Sequence, residues 1–322
     1  MSIGAFMIKV TKYTPIDKAY ITENATILFD LYEANEAKDN VILFLENGTE
    51  INGDHKIMIR ECPALYISKD EQEGFDDYCA LHLRSIATNE ALPFETKSSI
   101  LYQKAEKVME NLFKDPEALG NAEIIKEIVD DMMHSILDDD FTVESMMKIA
   151  AHDYYTHTHS INVSIYALSL GKFLGLKDQD LHDLGESAVL HDLGKSKVNV
   201  EIINKNGKLD TSEFEEMMNH PSWGHEIALH LGVTDKRILT GIRHHHEKMD
   251  GTGYPDRLPE KKISLFARII GVCDVFDALT TKRSYKDPMS SFNAFKLIKN
   301  QMQGHLDMKV VDSMVKLLHQ SN

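Results

Sequence analysis

The spacing of apolar and polar positions divides the chain into a first part with strand signals and a longer part with helical signals. Residues 26–34 (TILFDLYEA) and 41–51 (VILFLENGTEI) are rich in β-branched and aromatic residues, and Asn47-Gly48 is a dipeptide typical of hairpin turns. Residues 55–68 (HKIMIRECPALYIS) predict another extended segment. From residue 69 onward, starting with KDEQEGFDDYCALHLRSIA, the apolar residues recur at helical spacing.

The helical part predicts a connector followed by a second domain. Residues 94–137 indicate two long amphipathic helices with a break near KDPEALG, and the acidic run LDDD at 137–140 predicts the start of the next helix. We therefore predict an α+β multidomain chain, with a small mixed α/β domain over residues 1–92, a helical connector over 93–139 and an all-α domain over 140–322. The first domain carries no recognisable catalytic motif and is interpreted as a regulatory or dimerising module. A second copy of the chain or a signalling protein is its expected partner.

Composition and charge narrow the class of protein. An apolar fraction of 43% and a charged fraction of 27% over 322 residues are typical of globular proteins. The net charge of −16 argues against binding to nucleic-acid polymers or anionic membranes. The three cysteines are scattered, the N-terminus lacks a signal-peptide pattern, and no apolar run reaches the roughly 18–20 residues that span a bilayer. These features predict a cytoplasmic protein without a membrane span.

Histidine is concentrated in the second part of the chain. Thirteen of the sixteen histidines lie after residue 150. A single histidine is more often a surface or hydrogen-bonded residue than a ligand, so the prediction depends on groups of them. Helix-end signals lie beside several of these groups. Gly194 suits a left-handed helix cap, Ser212 and Glu215 suit a capping box, and Pro221 suits the first turn of the helix that follows His220.

Two carboxylates add to the histidine pattern. Asp274 lies in the apolar helical segment ARIIGVCDVFDAL, where a carboxylate is costly unless it is paired or bound to a metal ion. A salt bridge with Arg268 or Arg283 would satisfy Asp274 equally well, so this segment alone does not distinguish an ion pair from metal binding. Asp192 directly follows His191, and the two oxygens of one carboxylate can bridge two divalent ions in a two-metal hydrolase.

The motifs HDLGK (191–195) and HHEKMDGTGYP (245–255) resemble those of the HD-GYP family, a branch of the HD superfamily of metal-dependent phosphohydrolases. The resemblance extends from about residue 154 to residue 316 and keeps the family's motif order. It implies two divalent ions, iron or manganese, and not three, because Tyr155 stands where some relatives carry a third-ion glutamate. One ion would be held by His159, His191 and Asp274, the other by His220, His245 and His246, with Asp192 bridging them.

The same resemblance implies residues that contact the substrate. Lys195, Tyr254, Arg283 and Lys286 match family positions that meet the substrate, although the segment TKRSYK alone is also typical of a solvated basic loop. The remaining polar residues of the motifs have secondary roles in this interpretation. His157 and His244 are expected to be bystanders, Asp277 and Glu247 to orient ligand imidazoles, and Asp250 to stabilise a turn.

The implied activity is hydrolysis of cyclic di-GMP to pGpG or GMP. In the expected two-metal mechanism, hydroxide attacks phosphorus in line with the leaving ribose oxygen, Asp192 bridges the ions, and Lys195 or a water protonates the leaving oxygen. Two alternatives to this activity stay open. One is a cyclic dinucleotide receptor with little catalysis, and the other is a phosphodiesterase for another cyclic dinucleotide such as cyclic GMP-AMP.

Overall fold

The computed structural model describes residues 8–9, 12–34, 40–82, 85–86, 92–116, 122–137, 156–282 and 288–320. It divides into two compact units, Met1–Leu101 and Tyr102–Asn322. The structure is mostly helical and has a small sheet in the first unit, as the sequence predicts. The predicted domain bounds at residues 92 and 139 stay predictions, and most of the predicted helix start at 137–140 lies outside the described residues.

The first unit is built on an antiparallel sheet with the strand order β1-β4-β3-β5-β2. The register pairs Tyr32 of β3 with Leu43 of β4 and with Tyr66 of β5, so β3 lies between them. The unit also holds two helices. The bounds are Ile8–Lys9 (β1), Tyr13–Ile16 (β2), Leu31–Ala34 (β3), Asn40–Leu45 (β4), Leu65–Ser68 (β5), Gly53–Glu61 (α1) and Gln72–Leu81 (α2).

The prediction of an extended segment over residues 55–68 is wrong for its first half, which forms α1. The reason is local capping: the Asn52 side chain accepts a hydrogen bond from the backbone N–H of His55, and the His55 side chain reaches back to the backbone of Asn52. This capping box starts a helix despite the β-branched residues that follow it. Asn47-Gly48 does form a turn with Gly48 at φ +85°, but the turn faces residues 26–27 and does not join β3 to β4.

The regular secondary structure in the described part of the second unit is helical. Helix α3 contains the division between the two units, and the remaining helices follow in chain order. The bounds are Phe94–Lys114 (α3), Glu123–Leu137 (α4), Thr156–Phe173 (α5), Asp178–Leu190 (α6), Val200–Ile203 (α7), Thr211–Met217 (α8), His220–His230 (α9), Lys236–His244 (α10), Leu265–Thr280 (α11), Ser291–Gln301 (α12) and Met308–Gln320 (α13). The two predicted amphipathic helices over 94–137 are thereby confirmed as α3 and α4.

The core of the second unit surrounds α5 and α11. Every residue of α5 from Thr158 to Gly171 is buried, and α11 buries Phe276 against Tyr166 of α5 at a ring distance of 5.4 Å. Helices that are apolar on most faces are buried on most faces, and α12 and α13 supply further buried residues such as Phe295 and Val311. Within the described ranges, no helix combines the length and apolar content needed to cross a membrane.

Two predicted helix-end features differ in the structure. Helix α6 ends at Leu190, and Gly194 lies in a 3₁₀ turn, Leu193–Lys197, without a positive φ. A glycine is needed there because the turn packs onto the start of α9, where an added Cβ would lie 1.9 Å from the carbonyl oxygen of His220. The capping box of α8 is formed by Asp210 and Glu213 and not by the predicted pair two residues later. The predicted Pro221 in the first turn of α9 is confirmed.

Replacing Gly194 with Ala is expected to lower the free energy of unfolding by about 3 kcal/mol, because the added methyl group would overlap backbone atoms of His220 and Gly224 in α9. Urea unfolding followed by circular dichroism measures the change. Gly53→Ala is the matched control, since its Cβ would meet only the Glu23 carboxylate at an ordinary 3.5 Å. Equal stability of Gly194→Ala and the parent would show that the turn does not pack this tightly.

Candidate metal centre

The structure brings the seven predicted ligand side chains together from five places in the second unit. Two adjacent ligands follow α6, and two others follow α10. The remaining three come from the first turn of α5, the first residue of α9 and the middle of α11. In chain order they are His159, His191, Asp192, His220, His245, His246 and Asp274.

Asp192 lies in the middle of this cluster and is 1% exposed. Its Oδ2 faces Nε2 of His159 at 3.6 Å and Nε2 of His191 at 3.5 Å. Its Oδ1 faces Nε2 of His220 at 3.2 Å and Nε2 of His245 at 3.9 Å. The two oxygens of one carboxylate therefore face two different pairs of imidazoles.

Asp274 and His246 complete the cluster on its more open side. Asp274 Oδ1 lies 3.1 Å from Nε2 of His159, and its Oδ2 lies 3.9 Å from Nδ1 of His246. Their side chains are 14% and 26% exposed, whereas His159 and Asp192 are almost completely buried. The alternative partner Arg268 is bound to Asp307 at 3.1 Å, and Arg283 lies outside the described residues.

Helix-end carbonyl groups orient three of the imidazoles. Nδ1 of His191, His220 and His245 each lies 2.7 Å from the carbonyl oxygen of the residue three positions earlier in the chain. A carbonyl oxygen only accepts, so each Nδ1 carries the hydrogen and donates it. The lone pair of each ring is then on Nε2, the nitrogen that points into the cluster.

Asp277 orients the fourth imidazole. Its Oδ2 lies 2.7 Å from Nδ1 of His159, and its other oxygen accepts hydrogen bonds from Asn162 Nδ2 at 3.1 Å and Thr281 Oγ1 at 2.8 Å. The predicted orienting role of Asp277 is confirmed. The same prediction for Glu247 is wrong, because that carboxylate accepts from the backbone N–H groups of residues 256 and 258 and holds the following loop.

The unsatisfied atoms of the cluster fit a bound cation. Nε2 of His220 and Nε2 of His245 lie 3.2 Å apart although both rings already carry their hydrogen on Nδ1, so two lone pairs face each other. Nε2 of His191 is buried and has no hydrogen-bond partner in the part of the chain that the structure describes. Imidazole nitrogens and carboxylate oxygens are the ligands that divalent iron, manganese and zinc accept. The cluster can therefore hold metal.

The electrostatic environment favours the metal-binding protonation states. Burial and the neighbouring imidazoles hold the pKa of His245 well below its ordinary value, and burial lowers the pKa of His246 to about 3. Burial alone would raise the pKa of Asp192, but the ammonium group of Lys195 and the nearby imidazoles outweigh it and hold that pKa well below its usual range. These pKa directions favour neutral rings at His245 and His246 beside an ionised Asp192 carboxylate.

Two of the predicted substrate residues contact members of the cluster. The Lys195 ammonium group donates to Asp192 Oδ2. The Tyr254 ring stacks on His246, with ring centroids 4.8 Å apart and an interplanar angle of 28°. Arg283 and Lys286 lie outside the described residues, so their roles stay predictions.

The other polar residues of the motifs contact groups outside the cluster. Asp250 accepts hydrogen bonds from the backbone and side chain of Thr252, which confirms its turn role. His244 contacts Asp256 at 2.9 Å, and His157 lies 3.7 Å from Glu106, so neither joins the cluster.

Phe214 lies near Tyr254, although no sequence motif indicated it as a site residue. It is 47% exposed, and its ring lies 6.4 Å from that of Tyr254. An aromatic residue within the acidic segment SEFEE was the available signal.

A buried set of imidazoles and carboxylates in a helical unit is typical of HD-type hydrolases. The HD domain family model matches residues 142–310, which is more than half of the chain. Together with HDLGK and the HHEKMDGTGYP loop, this match shows that the chain belongs to the HD domain family and to its HD-GYP branch.

The chain is similar to curated phosphodiesterases. A cyclic di-GMP phosphodiesterase of Pseudomonas aeruginosa is 34% identical over 224 residues, 68% of this chain and 53% of the relative. A 3'3'-cGAMP-specific phosphodiesterase of Vibrio cholerae is 34% identical over 172 residues, 52% of this chain and 32% of the relative. The chain spans about half or less of the length of these relatives. An HDG"Y"P protein from Bdellovibrio bacteriovorus shares the fold, with a TM-score of 0.67, 19% identity and coverage of 95% and 99% of the two chains.

Without metal, the protein is expected to lose stability as the pH falls below about 6.5. The folded-state pKa of His245 is lower than that of an unfolded histidine, about 6.5, so the unfolded chain binds more protons below that pH. His245→Gln removes one such proton and should reduce the pH dependence by up to about 1.4 kcal/mol per pH unit. Urea unfolding in the presence of a chelator at pH 7.5, 6.5 and 5.5 measures it, with exposed His230→Gln as control. Identical pH dependence in parent and His245→Gln would contradict the buried neutral state.

Proposed function

We propose that this chain is a metal-dependent phosphodiesterase that hydrolyses cyclic di-GMP to pGpG or GMP. The observation that carries the proposal is the position of Asp192, whose two oxygens face two pairs of inward-pointing imidazoles. A carboxylate in this position could be shared by two ions about 3.5–4 Å apart, the separation found in two-metal hydrolases. The curated relatives named as cyclic di-GMP phosphodiesterases support the substrate class.

The proposed cofactor is a pair of divalent ions, iron or manganese. His159, His191 and Asp274 would hold one, His220, His245 and His246 the other, with Asp192 shared between them. When bound, such ions lower the pKa of water and neutralise negative charge on the phosphodiester. The observed pairs of donor atoms, 3.1–3.9 Å apart, support a common site.

The chain's own residues have separable roles in this proposal. The Lys195 ammonium group lies at Asp192 and is positioned to contact a phosphoryl oxygen, to offset its negative charge and to donate a proton to the leaving ribose oxygen. Asp277 fixes the ring of His159 through Nδ1. On the open side, Tyr254 and Phe214 present aromatic rings on which a nucleobase can stack. Arg283 and Lys286 would contact phosphate by their match to the family motif.

Hydrolysis of 3'3'-cGAMP is the second candidate activity. Three relatives from Vibrio cholerae with 31–34% identity are named as phosphodiesterases specific for that cyclic dinucleotide. The metal centre would act identically on both substrates, because the phosphodiester linkage is the same. The residues that contact the bases would determine the choice between guanine and adenine.

The first unit, with its small sheet, is proposed as the regulatory or dimerising module.

Replacing Asp192 with Ala is expected to reduce turnover of cyclic di-GMP by more than about 100-fold, since loss of groups that merely orient metal ligands already costs about 10–100-fold. Protein loaded anaerobically with iron or manganese is incubated with cyclic di-GMP and, separately, 3'3'-cGAMP, and products are separated by chromatography. Asp312→Ala, an exposed carboxylate paired with Lys299, is the control and should keep parental activity. Full activity of Asp192→Ala would overturn the proposed two-metal role. Tight binding without turnover in the metal-loaded parent would favour a receptor.

A further inference from the structure

A cavity, which we call the acidic pocket, lies in the helical unit and is lined by none of the seven metal-site residues. Its volume is about 990 Å³, at the upper end of the range typical of small-molecule sites. One wall is the stripe of α6 at residues 179, 182, 183 and 186. The N-terminal half of α4, residues 232–235 and Ile238 form the rest of the described lining. None of these residues belongs to the metal centre.

Negative charge dominates the acidic pocket. Its described lining contains six carboxylates and a single basic side chain, Lys126. The carboxylates are Glu123, Glu127, Asp130, Asp183, Glu186 and Asp235. Some of them are already engaged: Asp183 accepts from Gln179 at 2.7 Å and from Arg237, which also contacts Asp235 at 3.1 Å. Lys126 donates to Glu123 at 2.8 Å.

Glu186 is the least satisfied of these carboxylates. It is 2% exposed, and its Oε1 has no hydrogen-bond partner among the residues that the structure covers. Burial raises the pKa of Glu186, an effect that His182 partly offsets. Protonation does not remove the cost, because a buried carboxyl group without a partner is unsatisfied in either state. A hydrogen-bond donor arriving from the cavity would satisfy it.

His182 lies one turn before Glu186 on the same face of α6 and also has a polar atom without a hydrogen bond. Its Nε2 lies 3.4 Å from Asp130 Oδ1. Its Nδ1 is buried, lies 3.9 Å from Asp183 Oδ1 and has no hydrogen-bond partner in the described ranges. Glu186 and His182 are therefore neighbouring buried side chains that each leave one polar atom without a hydrogen bond.

The spacing of the acids favours an elongated ligand over a single metal ion. Among the described residues, the sets of acidic and imidazole atoms close enough to chelate one ion all lie in the metal centre, and none includes Glu186 or His182. The acids of the pocket are spread around a large cavity, and Glu127 and Asp130 at 64% and 70% exposure lie on its solvent side. An ammonium group supplies three donors and a positive charge, whereas a carboxylate or phosphate would be repelled.

We propose that the acidic pocket binds an organic polyamine. One ammonium group donates to Glu186 Oε1 and His182 Nδ1, and further ammonium groups lie beside Asp130 and Glu127 nearer the solvent. The site is independent of the proposed hydrolysis, although α6 carries both: its stripe lines the pocket, and His191 and Asp192 follow its last residue.

Isothermal titration of the metal-loaded full chain with spermidine at about 0.15 M salt tests the proposal, since this ionic strength screens exposed charges. The parent should bind one spermidine per chain, and Glu186→Gln should raise the Kd at least about 10-fold, the effect expected for a hydrogen bond to a charged group. Glu201→Gln, an exposed carboxylate on α7 outside the lining, is the matched control and should bind as the parent does.

Three outcomes would overturn the proposal. The first is that the parent does not bind one spermidine per chain. The second is equal binding by Glu186→Gln and the parent, which attributes binding to the overall charge of −16. The third is equal competition by Mg²⁺ at the same concentration, which makes the site one for any cation. If Glu186→Gln fails to fold, Asp130→Asn on the exposed side replaces it. A Kd raised several-fold then supports the proposal, and an unchanged Kd contradicts it.

Discussion

Three hydrogen bonds from imidazole Nδ1 atoms to helix carbonyl oxygens orient the candidate metal centre. Each joins a histidine at a helix junction to the residue three positions earlier, at 2.7 Å, in His191, His220 and His245. They fix the tautomer and the ring orientation together, so that every Nε2 lone pair points at Asp192. The sequence places these histidines at helix ends, where the last carbonyl groups lack a partner within the helix.

Packing holds the imidazole nitrogens of the cluster close together at a free-energy cost that a bound metal ion would offset. Gly194 lets the turn after α6 approach the carbonyl group of His220, and the buried helix α5 presents His159 to Asp277. Facing lone pairs at 3.2 Å are unfavourable in a buried site without a cation. We therefore expect metal binding to stabilise the helical unit, as in other domains whose buried ligands lack partners without the ion.

Sequence reasoning located the cluster but not its surroundings. The predicted ligand positions came from the resemblance to the HD-GYP motifs, and the structure brings those side chains together. Asp277 contacts His159 as expected. Glu247 was misassigned, since its contacts with the backbone of residues 256 and 258 depend on a loop path that no periodicity reveals. The helix at residues 53–61 was missed because one capping interaction outweighed the β-branched residues. The acidic pocket is lined by α4, α6, residues 232–235 and Ile238, which only the fold brings together.

Metal analysis of the anaerobically purified protein is the most direct test of a dinuclear centre. Elemental analysis of the parent and of Asp274→Ala, each with its concentration determined by amino-acid analysis, gives ions per chain. The proposed ligand division predicts about two iron or manganese ions in the parent and about one in Asp274→Ala, because the ligands of the second ion stay intact. A parent that binds one ion or none when metal is in excess, or a variant that keeps two, would contradict the dinuclear centre.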